Sequence, residues 1–479
     1  MNSFGGLMMD MNRRTWMKAS GLMAAGAWAS GGCATSVPQA GAGEVTFQRR
    51  LPVKYDVDVF VAGGGPAGVA AAVAARSLGA RVFLAEAHTC LGGMGTAGRV
   101  PVFMPVSDGV HFLPGGFGRR VLDRLAQEKA LPGPATDIEA LKRVYDELVS
   151  ESGAAFTFYT KLSAVESEGG RVRHVVCASP SGLFAVRAKV YVDATGNGDL
   201  AAWAGAVFGK GDAQGHLMPG TLCSLWSGID WPTWEANRPK GPQPDGSMLE
   251  KAFADGVFTV PDRHLTGMHK LGEGLGGGNI GHTFGVDGTD ERSLTQALLF
   301  GRKSMKEYTR YYREYLKGFE HLRLVDTGSL LGIRETRRIT GDYTLGIADY
   351  KKRAVFPDEI GRYAYAIDIH PGTTDAASYE KHRQEFDKEY RYNKGESYGI
   401  PYRVLTPKGL DNVLVSGRCV STDPLVHGSL RVMPGCFITG QAAGMAAAMA
   451  ADGGCSVHDV DVKELQRRLK AFGAYLPNV

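Results

Sequence analysis

Between residues 56 and 86 the hydrophobic pattern changes character three times. Val57 to Ala62, in "DVDVFVAGGG", is a short apolar run, the pattern of a strand buried in a parallel sheet. From Pro66 to Leu78 the chain is Ala-rich, which predicts a helix opening directly after the glycines. Arg81 to Ala85 predicts the next strand, which ends at Glu86. Two later stretches alternate instead. "YAIDIHPG" predicts a strand running to His370, and residues 427 to 431, if extended, put His427, Ser429 and Arg431 on one face. Met433 to Gly435 then break that strand, and a helix is expected from near Cys436.

The glycines between the first strand and helix, Gly63, Gly65 and Gly68, form G-x-G-x-x-G. Gly63 permits a tight turn, Gly65 lets a pyrophosphate approach the backbone, and Gly68 lets helix and strand pack closely. Pro66 and Ala67 begin the helix, whose free N–H groups face the phosphates, and Glu86 can accept hydrogen bonds from a ribose. Strand, turn, helix, strand and acid in this order make a dinucleotide site. Gly272, Gly274 and Gly277 repeat the spacing, but no apolar strand precedes them. They are expected to form a loop whose backbone lines a binding site, which leaves one dinucleotide site.

Three further segments separate flavin from nicotinamide. "RAKVYVDATGNGDLAAWAG" (187–205), "LLGIRETRRITGDY" (330–343) and "NVLVSGRCVSTDPLVHGSLRVMPGCFITGQAAGMAAAMA" (412–450) resemble segments of two-dinucleotide-fold flavoproteins. With the first motif they make the chain similar to the bacterial FAD-dependent oxidoreductases from about Asp56 to Ala450. The resemblance implies an α/β fold. It would hold FAD in a Rossmann-like, glutathione-reductase-like domain (55–205, 326–343 and 401–479), with an inserted α+β substrate or lid domain (206–325 and 344–400). It also implies cofactor contacts at Gly93, Thr96, Thr195, Gly196, Gly417, Arg418 and Gly440. Gly417-Arg418 departs from the usual Gly-Asp. A guanidinium cannot accept from ribityl hydroxyls, so Arg418 is expected at a phosphate.

His427, Arg431 and Arg334 are the expected catalytic residues. His427 would take a hydroxyl proton while hydride leaves for the flavin, Arg431 would hold an oxyanion or carboxylate, and Arg334 is a further candidate for reaching substrate. A helix starting beyond Arg431 would aim its positive end at the flavin pyrimidine. Glu335 and Arg337 are expected to pair structurally. Cys90 is followed at position 95 by glycine, so a paired-thiol reductase is excluded and a buried cysteine expected. Trp226, Trp231 and Trp234, with Asn279, His282 and Thr283, either line a pocket for a polyhydroxylated or carboxylated ligand or form lid core.

Composition changes little. The 479 residues suit two intertwined domains, and a formal net charge of +4 without basic blocks gives no support to a nucleic-acid face. The seven cysteines lack metal-ligand spacing, so neither zinc nor a disulfide framework is expected. The first 33 residues add an address. Asn12-Arg13-Arg14-Thr15-Trp16-Met17-Lys18 resembles a twin-arginine signal, followed by a mild apolar stretch too short to span a membrane. Ser30-Gly31-Gly32-Cys33 resembles a lipoprotein box, although Ser30 replaces the usual aliphatic residue, so lipidation at Cys33 stays open. Residues 34–54 read as a flexible leader.

The whole predicts an exported FAD-dependent dehydrogenase or oxidase. It would act on a polar small molecule, a sugar or hydroxy acid, and pass electrons to an acceptor the sequence does not name. Lipid at Cys33 would tether it to a membrane. The alternative is a flavin-carrying binding or scaffold protein of the envelope, without turnover.

Overall fold

The computed structural model describes residues 45–479 apart from 133–134, 240–245 and 386–388. Arg13, Arg14 and Cys33 lie outside the described residues.

The chain opens as its pattern predicts, with β1 (Val53–Ala62), α1 (Pro66–Ser77) and β2 (Val82–Ala85). Then follow α2 (Phe117–Gln127), α3 (Ile138–Ser152), β3 (Ala155–Thr157), β4 (Lys161–Glu168), β5 (Arg171–Ser179), β6 (Gly182–Asp193) and α4 (Asp199–Trp203). The middle contributes β7 (Phe208–Lys210), β8 (Ser224–Ser227), α5 (Trp231–Asn237), α6 (Gly246–Ala254), β9 (Leu265–Gly272), β10 (Leu275–Ile280), α7 (Glu291–Tyr315) and β11 (Arg323–Thr327). The remainder is β12 (Arg337–Ile339), α8 (Ile347–Lys352), β13 (Glu359–Tyr363), α9 (Ala376–Gln384), β14 (Tyr398–Pro401), β15 (Val413–Val415), α10 (Pro424–Leu430), α11 (Met433–Gly453) and α12 (Val462–Phe472).

The central sheet runs β3-β2-β1-β6-β5-β4, with β15 also paired to β6. β1, β2, β3, β6 and β15 are parallel, and β4 and β5 extend the sheet antiparallel. Val59, Phe60, Val61 and Ala62 are wholly buried, as expected of a strand covered on both faces. The fold is thus mixed α/β, with a Rossmann-like parallel core.

α11 lies across α1 with backbone against backbone. A Cβ added at Gly440 would come 2.2 Å from the Ala67 carbonyl oxygen, and one at Gly444 2.1 Å from that of Ala71. Gly440, expected at the cofactor, is therefore a packing residue, because only hydrogen fits between the two helices.

Three other expectations are corrected. Residues 427–431 are not extended: Pro424 at the first helical position and Asp423, whose carboxylate accepts from Val426 N at 2.7 Å, start α10. α11 then begins at Met433, and the two helices meet at 92°. The glycines expected as a loop form the hairpin β9–β10. In β10 neighbours leave no room for side chains at two of the glycines, since a Cβ at Gly276 would lie 2.5 Å from Ile229 and one at Gly277 2.6 Å from Pro101. This hairpin belongs to a four-stranded antiparallel sheet, β11-β8-β10-β9, over which α7 builds a second core with Trp226, Trp231 and Phe319. Trp226 is core, whereas Trp231 belongs both to this core and, with Trp234, to the wall of a surface cavity. Residues 344–400 do not join that sheet. Leu345, Tyr350, Ile360, Tyr363 and Tyr398 enter the principal core instead, since β13 pairs with β14 and packs on α11.

Candidate active site

Gly63 has φ of 92°, and a Cβ there would lie 2.7 Å from the Ala194 carbonyl oxygen, so the turn requires glycine. Gly68 is as constrained, with a Cβ position 1.9 Å from Gly63 O. Gly65 differs. It caps α1 with no side chain bonded to the helix end, Pro66 follows, and nothing lies within 4 Å of where its Cβ would be. Unpaired N–H groups facing open space fit a pyrophosphate. Glu86, at the end of β2, accepts from Gly64 N at 2.7 Å and His88 N at 2.8 Å, and each oxygen keeps a lone pair for a hydroxyl. Gly93 lies against Gly65, with a Cβ position 3.3 Å from its Cα.

Several expected cofactor contacts serve the frame instead. The Thr96 hydroxyl donates to Leu91 O and is 1% exposed, so it locks its own turn. The Thr195 hydroxyl donates to Asp193 Oδ1 at 2.7 Å and accepts from Asp199 N at 2.9 Å. Asp193 is fully buried, and burial raises its pKa to about 6. Arg418 spends its fork on protein acceptors, not a phosphate: Gly196 O, Ile333 O and Asn197 Oδ1. It closes the third and fourth motif segments onto the Ala-Thr-Gly turn. Gly417 donates its N–H to Thr439 Oγ1 and fits against Ala67. Glu335 pairs with Arg338, and Arg337 with Asp199 at 2.6 Å, rather than with each other.

His427 is 1% exposed and donates Nε2–H to Arg418 O at 2.9 Å, while Nδ1 is buried without a partner. Burial, then Arg431, Arg338 and Arg418, hold its pKa well below the usual imidazole value. Three guanidiniums make an imidazolium costly there, so His427 is a poor general base. It pins α10 to Arg418.

Arg431, at the bend between α10 and α11, donates to Asp368 Oδ2 at 3.2 Å, and its Nε has no partner. α11 begins beside it with no side chain capping its N–H groups. Arg334 donates to Pro219 O at 2.8 Å and Thr221 Oγ1 at 2.9 Å, and burial, then Arg431, lowers its pKa to about 10. Burial pushes Asp368 upward, yet His370, Arg431 and Arg334 outweigh it and keep the carboxyl ionised.

From Asp368 a polar chain runs inward that the sequence reading did not assemble. Asp368 Oδ1 meets His370 Nε2 at 3.2 Å, His370 Nδ1 meets His282 Nε2 at 2.8 Å, and His282 Nδ1 meets Asp262 Oδ1 at 3.1 Å. His264 stacks on His282 with ring centroids 4.3 Å apart. Burial is the first cause lowering all three histidines, His370 to about 4, so each is neutral. The available signal was the repeated Asp-x-His, at Asp262-Arg263-His264 and Asp368-Ile369-His370.

The model of the family described as FAD dependent oxidoreductase matches residues 58–469. The chain belongs to this family. It is an FAD-dependent oxidoreductase enzyme, and FAD is its cofactor. Among solved structures, it resembles p-nitrophenol 4-monooxygenase of Pseudomonas putida at 13% identity and a TM-score of 0.42, over 87% of this chain and 88% of that one. A geranylgeranyl bacteriochlorophyll reductase-like protein of Thermoplasma acidophilum matches at 13% identity and a TM-score of 0.39, over 87% and 82%. A myxobacterial chondrochloren halogenase matches at 13% and 0.40, over 87% and 79%. No curated protein sequence matches the chain.

Proposed function

We propose that this enzyme, built on a glutathione-reductase-like arrangement, oxidises a small anionic hydroxy compound, a hydroxy acid or sugar acid, and is exported already folded. The observation that carries the substrate reading is the guanidinium pair at the start of α11. Arg431 is paired with the ionised carboxylate of Asp368, whereas Arg334 donates to Pro219 O and Thr221 Oγ1, which leaves it a guanidinium with no carboxylate hydrogen-bonded to it. A substrate carboxylate balances it and is held by charge-assisted hydrogen bonds. FAD, when bound, accepts the hydride. Gly63, Gly65 and the α1 N-terminus would hold its phosphates and Glu86 its ribose. Arg431 would fix the substrate beside the uncapped α11 N-terminus, whose N–H groups favour negative charge.

The test is anaerobic addition of hydroxy acids, sugar acids, neutral sugars and amines to the purified enzyme while the visible spectrum is recorded. Acids are expected to bleach the oxidised flavin bands. Equal bleaching by neutral sugars would remove the anionic reading. Arg431→Ala should raise KM for the bleaching acid by about 10- to 100-fold, the worth of a hydrogen bond to a charged group.

A further inference from the structure

We propose that His264, His282 and His370 form a binding site for one divalent transition-metal ion. Asp262 and Asp368 would orient two of the imidazoles from behind.

One ring nitrogen from each of the three histidines lies within 4.8 Å of the other two. His282 turns Nδ1 toward Asp262, and His370 turns Nε2 toward Asp368. A neutral imidazole has a single N–H. With each donating that N–H to the carboxylate behind it, the remaining nitrogens present lone pairs to each other across 2.8 Å. In that tautomer the two nitrogens face each other as acceptors and attract a cation, and zinc–nitrogen bonds of about 2.0–2.1 Å would spread them from this contact. A shared proton would satisfy two nitrogens but has no use for a third. The third is present: His264 packs against both rings, at 4.3 Å between centroids in each case, and its Nε2 is buried with no hydrogen-bond partner.

Neutral imidazoles backed by carboxylates are the arrangement that fixes the tautomer and raises ligand basicity at metal centres. Three nitrogen ligands suit zinc and its first-row neighbours rather than calcium or magnesium, which take oxygen. Arg334 and Arg431 lie nearby, and the carboxylates of Asp262 and Asp368 offset their charge. The ion would sit one imidazole and one carboxylate away from Arg431. The proposal does not rest on the substrate reading, because it stands on the histidine geometry alone.

The experiment loads chelator-stripped, FAD-containing enzyme with Zn2+ at a buffered free concentration and measures metal per chain by mass spectrometry. One zinc per chain is expected, with a thermal midpoint that rises on loading. His282→Ala and His370→Ala should fall to background while keeping FAD. Asp262→Asn should keep the site with affinity reduced about 10- to 100-fold. Should the alanine variants not fold, His264→Gln, at a position nearer the surface, decides together with the wild-type stoichiometry. Wild-type enzyme at background after loading would overturn the proposal and leave a shared proton in its place. Unchanged zinc in the folded histidine variants would overturn it equally.

Discussion

Gly65 is where the cofactor claim meets a single atom. Its φ of −64° and ψ of 179° are open to alanine, and no protein atom lies within 4 Å of the Cβ position. Gly65→Ala should therefore melt within about 2 °C of the parent, since surface-like changes cost under about 0.5 kcal/mol. The added methyl stands where the pyrophosphate would approach, so FAD retention should fall by about tenfold or more. Retained FAD in a stably folded variant would contradict the cradle. Asp193 makes a second claim at this scale. Its folded pKa, about 6, is raised above the ordinary 3.8 by burial. Raised means that the contribution is fully present below pH 3.8 and is lost as pH climbs through 6. The loss approaches 3 kcal/mol on the order of two pKa units. Denaturant midpoints between pH 4 and 7 should show that decline, and Asp193→Asn should flatten it. The slope is the readout, because losing an acceptor for Ala201 N lowers stability at every pH.

At the scale of elements, legibility followed whether a stretch's shape was decided locally. β1, α1 and β2 were readable because apolar runs, proline at a helix start and a glycine turn all agree. α10 was misread because alternation in His427-Gly428-Ser429-Leu430-Arg431 outweighed the cap signal Asp423-Pro424 just upstream. On a helix His427 and Arg431 still share a face, four residues apart, while Ser429 turns away to Tyr398 and Tyr365. The β9–β10 hairpin was unreadable for a different reason: glycine there answers to Pro101 and Ile229, which arrive from distant chain. The histidine cluster likewise exists only once the 262–282 hairpin and the segment after β13 are folded together. The contact between α1 and α11 carries its own prediction. Gly444→Ala forces a methyl to within 2.1 Å of Ala71 O, so one helix must shift. It should cost about 1–3 kcal/mol in chemical denaturation. A variant as stable as the parent would mean the helices are not in backbone contact.

At the scale of the whole molecule, the parts impose an order of events. The FAD-binding frame is assembled from β1 to β6, then from β15 and α11 at the far end of the chain, with Arg418 drawing Gly196, Asn197 and Ile333 together only when all are present. A cofactor held by such a frame cannot be enclosed until nearly the whole chain is available. An unfolded chain threaded through a membrane would therefore arrive without it, whereas a route for folded cargo delivers the holoenzyme. The Asn12-Arg13-Arg14 sequence, which resembles the signal for that route, agrees with this from the opposite end of the chain. Replacing Arg13→Lys together with Arg14→Lys keeps the charge of the segment and changes only the guanidinium pair. Fractionation of cells producing this variant is expected to leave folded, yellow, FAD-loaded protein in the cytoplasm, while the parent reaches the envelope. Equal export of the two would separate the flavin frame from the signal, and would show that this chain crosses by another route.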